Sequence, residues 1–343
     1  MKKKYKLYIG LLAFLVEIIG TVNADNSHAH FAGEAFADIN HSVNMPEEWK
    51  QAKVDHGKNY PNHDLVIALD QQLYPALKPM IDTWAKAKNI KVGIKEGTCG
   101  ISYKMIKQKV ADIGGFCCPA GMNDRFPGLK FHTLGIAPIV LLTHPENPVE
   151  NISLNDARKV FTGDIKTWSE IPGTANQKNE FIQSLQPVTR QHCKSRPGHW
   201  RLLVGSPDHF SSRIIDVGSI ADVISQTAGG KGVLSYEVQW QVLHFRNNGE
   251  VKELSIDNES ANDRSALLAN RYPLYRVYNI TTWEDQHTRN PLAQELVQML
   301  LTKVKSLPSE FSILPHEELR QAGWKFRENE LIGEPNDSVA STK

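Results

Sequence analysis

Apolar residues follow two rhythms along this chain. Short unbroken apolar runs, bounded by turn residues, alternate with stretches whose apolar positions fall three and four apart. Leu65-Val66-Ile67-Ala68-Leu69 is the first run and predicts a buried strand. Asp70-Gln71-Gln72 reads as a turn. Residues 74–88 then place Leu77, Met80, Ile81, Trp84 and Ala85 on one face, which predicts an amphipathic helix. Ile90, Val92 and Ile94 form a second strand ending at Gly97. A Gly97-Thr98-Cys99-Gly100 turn, a helix over about 101–109 and a third strand over 110–116 follow. The βαβαβ order predicts a parallel sheet with right-handed crossovers. The third strand ends in two adjacent cysteines, Cys117 and Cys118, where open α/β sheets bind ligands.

The same rhythms continue. Residues 132–143 are apolar, but Pro138 argues against a regular central strand and predicts a bend or a crossing between domains. Residues 153–161 predict a helix with Ser153 as N-cap and Asp156 three residues later. Strands are expected at 187–190, 232–236 and 275–280, and an edge strand at 251–256. Helices are expected near 199–204 and 207–213, and at 219–227, 290–301 and 317–322. Residues past 332 read as a frayed tail. Ahead of the first strand, residues 25–62 are polar and carry His28, His30, His41 and His56. They predict a flexible or loosely docked arm with a short helix at 45–53.

Composition narrows the class. The 343 residues are 41% hydrophobic with a net charge of +1. That is enough chain for a large core and two domains. The charge balance favours neither nucleic acid nor a membrane surface as partner. Lys2, Lys3, Lys4 and Lys6, an apolar run over 8–16 and Val22-Asn23-Ala24 predict a signal peptide over 1–24, with the mature chain starting at Asp25. No later stretch is long enough to span a bilayer. The mature protein is therefore expected to be exported and not membrane-embedded, in a compartment where disulfides persist. No Ser-His-Asp or paired-carboxylate arrangement is legible, which argues against a hydrolase.

Phe161-Thr162-Gly163-Asp164-Ile165-Lys166-Thr167-Trp168, with Gly173 after it, resembles the F-x-G-x-I-x-x-W-x-x-x-x-G signature of the phosphate-binding periplasmic proteins of ABC importers. The collinear order around it agrees over about 64–330. Residues 97–100 (G-T-C-G) stand where that family has a Gly-Ser/Thr-Ser-Gly turn. Residues 111–117 (A-D-I-G-G-F-C) resemble A-D-I-G-G-A-S, and 187–190 (P-V-T-R) resemble the strand whose Arg opens a ligand loop. Residues 229–236 (G-G-K-G-V-L-S-Y) and 272–278 (Y-P-L-Y-R-V-Y) resemble two further family strands. The resemblance implies an α/β two-lobed clamshell, each lobe a mainly parallel sheet flanked by helices. Lobe one would span 64–143 plus 242–330, and lobe two 144–241. It also implies a monomeric periplasmic carrier that holds a small inorganic ligand between its lobes and delivers it to an ABC permease.

The ligand loops depart from that family. Gln71 and Gln72 replace small hydroxyl residues in the first loop. Cys99 replaces a serine between Thr98 and Gly100, and Cys117 and Cys118 fill the third loop. The fourth reads Arg190-Gln191-His192-Cys193-Lys194-Ser195-Arg196. All four cysteines thus map onto segments lining one cleft. Three readings stay open. The cysteines form disulfides: a vicinal Cys117–Cys118 ring, Cys99 with Cys117 or Cys118, or a bridge to Cys193 across the lobes. They hold a thiolate-bound soft metal or an Fe–S cluster, with His192 as a further ligand. Or they form a thiol redox site without a transport role. Thr98, Arg190, Ser195 and loop N–H groups still offer an oxyanion site, although a thiol replaces a hydroxyl poorly as a donor.

Overall fold

The computed structural model describes residues 36–172, 184–191 and 201–335. Leu65–Asp70, buried at every position, lies between Val92–Gly97 and Ile113–Phe116, parallel to both. The helix Tyr74–Lys88 matches its predicted bounds. It buries Ala76, Leu77, Ile81 and Ala85, and it ends at Asn89 in the left-handed conformation. The second helix starts two residues earlier than expected, spanning Cys99–Lys107, because Thr98 is its N-cap.

Tyr275–Trp283 lies antiparallel to Ile113–Phe116, and Leu129–Thr143 lies antiparallel to Tyr275–Trp283. Contrary to the sequence expectation, Pro138 does not break this strand, which continues through it for 15 residues. The strand instead changes partners there. Up to Pro138 the strand pairs with Tyr275–Trp283, and from Ile139 it pairs with Val233–Val238. Proline sits where the ladders change hands, so its missing N–H disrupts neither. Beyond Val233–Val238 the sheet continues through Gln186–Thr189 to Ile215–Asp216, all parallel. The helices Leu154–Thr162 and Ile220–Gly229 are capped by Ser153 and Ser219.

Three other expectations change. Lys252–Ile256 is not an edge strand, because Leu129–Thr143 and Asn151–Ile152 flank it. The first residue of the expected tail, Gly333, is paired in a hairpin of Lys325–Arg327 with Glu330–Gly333. The described part of the polar arm is docked, not loose. Val43, Met45, Trp49, Val54 and Tyr60 pack on the core. Trp49 Nε1 donates to Lys107 O at 2.7 Å, and Lys109 Nζ donates to Ala52 O at 2.7 Å while lying 4.3 Å from the Trp49 ring centre. His56 Nε2 lies 2.7 Å from Asp112 Oδ2, whose other partners are Val66 N and, through Oδ1, Asn290 Nδ2. Asp112 thus ties its strand to the Leu65–Asp70 backbone, to the arm through His56 and to Asn290. His28 and His30 lie outside the described residues. Among the described residues, no helix is long and apolar enough to cross a membrane.

A buried histidine gives this fold a testable acid limit. His132 is 7% exposed, and burial pulls its pKa down to about 4. Its Nε2 meets Thr282 Oγ1 at 2.8 Å, and Thr282 donates onward to Glu284. Its Nδ1 faces Asn329 Nδ2 at 3.4 Å, so the neutral ring with the proton on Nε2 satisfies every contact. The folded value lies below the unfolded one. The stability from keeping the ring neutral is therefore complete above about pH 6.5 and is lost as pH falls towards 4, up to about 3 kcal/mol. Chemical denaturation between pH 7 and 4 should show a steeper loss for the natural chain than for His132→Gln. Equal slopes would contradict this reading.

Candidate functional site

The candidate site forms where the sheet's strand ends meet. Leu65–Asp70 and Ile113–Phe116 finish at the same edge at which antiparallel Tyr275–Trp283 begins. Asp70, Cys117, Cys118, Arg276 and Tyr278 are thereby gathered. The helix Cys99–Lys107 brings Cys99 to the same place. It packs closely because position 114 is glycine: a Cβ there would lie 2.7 Å from Ile106 Cγ1. Ser102 Oγ also donates to Ala68 O at 3.1 Å, fixing the helix to the central strand.

The three sulfurs converge. Cys99, Cys117 and Cys118 are each no more than 1% exposed, and their Sγ atoms all lie within 4.8 Å of one another. Cys99 to Cys117 is 3.1 Å and Cys117 to Cys118 is 3.9 Å, against about 2.05 Å for a disulfide bond. The structure thus places neither the vicinal pair nor the Cys99–Cys117 pair at bonding distance. An ion about 2.3 Å from each of two thiolates in tetrahedral geometry would hold them about 3.8 Å apart. The second spacing fits as it stands, and the first needs a small opening. Cys99 stands at the positive end of a helix dipole, and Cys117 N donates to its sulfur at 3.3 Å.

The surrounding charge is positive and buried. Arg276 is fully buried and donates from Nη1 to Cys117 Sγ at 2.7 Å. Burial pulls its pKa down, but Cys117, Cys118 and Glu237 outweigh that and raise it well above the usual value. Arg201 lies against the Tyr275 ring, and burial lowers its pKa. Asp70 accepts from Gln72 N at 2.9 Å, and burial together with Cys117 pushes its pKa up to about 8.

Glu237, the next-to-last residue of the strand Val233–Val238, is fully buried. It accepts from Arg190 Nη2 at 3.2 Å, from Val238 N at 2.9 Å and from Gln72 Nε2 at 3.5 Å. Tyr278 OH reaches Gln72 Oε1 at 3.4 Å and is held by Trp240 Nε1 at 3.0 Å. This network links the half of the sheet carrying Leu65–Asp70 to the half carrying Val233–Val238. A register shift at Tyr278/Asn279 turns the two side chains to different tasks. Tyr278 meets Gln72, and Asn279 Nδ2 donates to Cys118 O at 3.0 Å.

The structure brings Gln72, Cys99, Cys117, Cys118 and Arg190 into this region. Thr98 and Gly100 are exposed, and Thr98 Oγ1 accepts from Ile101 N as a helix cap. Gln71 is half-buried, with its backbone N bonded to Gly97 O. His192, Cys193 and Ser195 lie outside the described residues. Sequence reasoning missed Arg276, Glu237, Tyr278 and Arg201. For Arg276 and Glu237 a signal existed: a charged residue inside or directly after an apolar strand run.

Comparison with known proteins agrees with this architecture. Residues 50–190 match the model of the PBP superfamily domain. A putative phosphate ABC transporter substrate-binding protein from Clostridium perfringens, solved with bound phosphate, superposes with a TM-score of 0.60 at 15% identity, covering 73% of this chain and 98% of that one. An ABC-type phosphate transport receptor from Vibrio cholerae gives 0.57 at 15% identity, covering 73% and 100%. The fold is that of a two-lobed periplasmic binding protein, and the chain resembles the phosphate-binding proteins of that class.

Proposed function

We propose that this protein is a periplasmic solute-binding protein whose cleft has been rebuilt to take a thiophilic metal or metalloid species on Cys99, Cys117 and Cys118. The observation that carries this reading is the convergence of three buried sulfurs within 4.8 Å of one another. Thiolates select soft ions, and the cysteines stand in loops where the resembling family has hydroxyl donors. The cargo would lie between lobes at 64–143 plus 242–330 and at 144–241, and a monomeric carrier would pass it to an ABC permease. Hinge closure around the ligand would signal occupancy.

A phosphate-like oxyanion is the second reading. The buried guanidinium groups of Arg190 and Arg276 favour it, as does the likeness to a phosphate-bound protein. A thiol redox role on the same scaffold has less support, since the likeness is to carriers. The test is to purify the exported chain and measure bound elements, free thiols and phosphate affinity on one sample. The proposal expects one thiophilic ion per chain, with thiols that react only after chelation. Tight phosphate binding with no thiophilic ion bound at any concentration would overturn it.

A further inference from the structure

Arg276 separates two kinds of thiophilic cargo. Its side chain is fully buried at the sulfur cluster, and Nη1 is used on Cys117 Sγ. Its Nε and Nη2 are buried with no hydrogen-bond partner. A buried cationic donor left unmatched is costly, and such atoms in a native fold point to an acceptor supplied by something else. Cys117 sulfur already serves Nη1, and Glu237 is bonded to Arg190, Gln72 and Val238 N. A bare soft cation can take the sulfurs but supplies no acceptor for Nε and Nη2. Phosphate supplies oxygens but no thiophilic centre. The only cargo that uses both the sulfurs and the free donors carries a thiophilic atom and an oxygen together.

From this we infer that the cargo is a trivalent metalloid oxyacid of the arsenite type, bound through sulfur with one oxygen retained against Arg276 Nε and Nη2. This rests on the thiophilic-cargo reading above. The binding step balances without any redox change. E(OH)3 and two cysteine thiols give (RS)2E–OH and two waters. Two E–S bonds replace two E–O bonds, each thiol proton leaves with a hydroxide as water, and E stays trivalent. The remaining E–OH, or its conjugate base, accepts from the guanidinium.

The test uses the reduced full chain with sodium arsenite and, separately, Ag(I). Equilibrium dialysis should give one arsenite per chain, and X-ray absorption should show arsenic bonded to sulfur and to one oxygen. An all-sulfur shell would overturn the inference. Ag(I) binding without arsenite binding would overturn it and leave the thiophilic-cargo reading standing, whereas binding of neither would remove both. Arg276→Lys should weaken arsenite about tenfold more than it weakens Ag(I), because the paired donors are lost. Equal losses would contradict the proposed contact. If that variant does not fold, the absorption shell of the unsubstituted chain decides.

Discussion

Cys117→Ser is expected to lower the affinity for Ag(I) by more than about a hundredfold, since even outer-shell changes cost about 10–100-fold at metal sites. Cys117 is the centre of the cluster. Its sulfur lies 3.1 Å from that of Cys99, 3.9 Å from that of Cys118 and 2.7 Å from Arg276 Nη1. A serine hydroxyl fills nearly the same space but is a hard, neutral donor that does not replace a thiolate for a soft ion. The fold should tolerate the change, because the hydroxyl can still accept from Arg276. Calorimetric titration of both chains checks this. An affinity within threefold of the natural chain would place the cargo elsewhere.

Glu237→Ala is expected to cost about 3–5 kcal/mol of unfolding free energy. The carboxylate is fully buried, accepts from Arg190, Gln72 and Val238 N, and lies in the field of Arg276. Removing it leaves buried guanidinium charge with less compensation and opens the link between Gln72 and the Val233–Val238 strand. Glu237→Gln keeps the shape and one carbonyl acceptor, so its loss should be smaller. Denaturant titrations of the three chains measure both effects. A drop below about 1 kcal/mol for Glu237→Ala would mean that the pair is not the buried charge balance described.

Much of the fold was legible because its signals are local. The periodicity of Leu77, Ile81 and Ala85 fixed one helix, and Ser153 with Asp156 fixed the start of another. The resemblance mapped all four cysteines onto loops of one cleft; Cys99, Cys117 and Cys118 converge, and Cys193 lies outside the described residues. What was not legible depends on long-range packing. Pro138 reads locally as a strand breaker, and only the change of partners around it explains why the strand survives. The arm reads as polar, and its anchors Val43, Trp49 and Val54 have no regular spacing, so docking on Lys107, Lys109 and Asp112 left no periodic trace. Arg276 and Glu237 sit far apart in sequence from the cysteines and from each other. Sheet order alone makes them neighbours of the site.

The most direct test of the thiophilic cleft is anomalous diffraction from crystals of the full chain grown with equimolar Ag(I) and excess phosphate. A single silver peak within about 2.5 Å of the Cys99, Cys117 and Cys118 sulfurs is the expected result. Phosphate density between Thr98 and Arg190, with no silver at the three sulfurs, would contradict it.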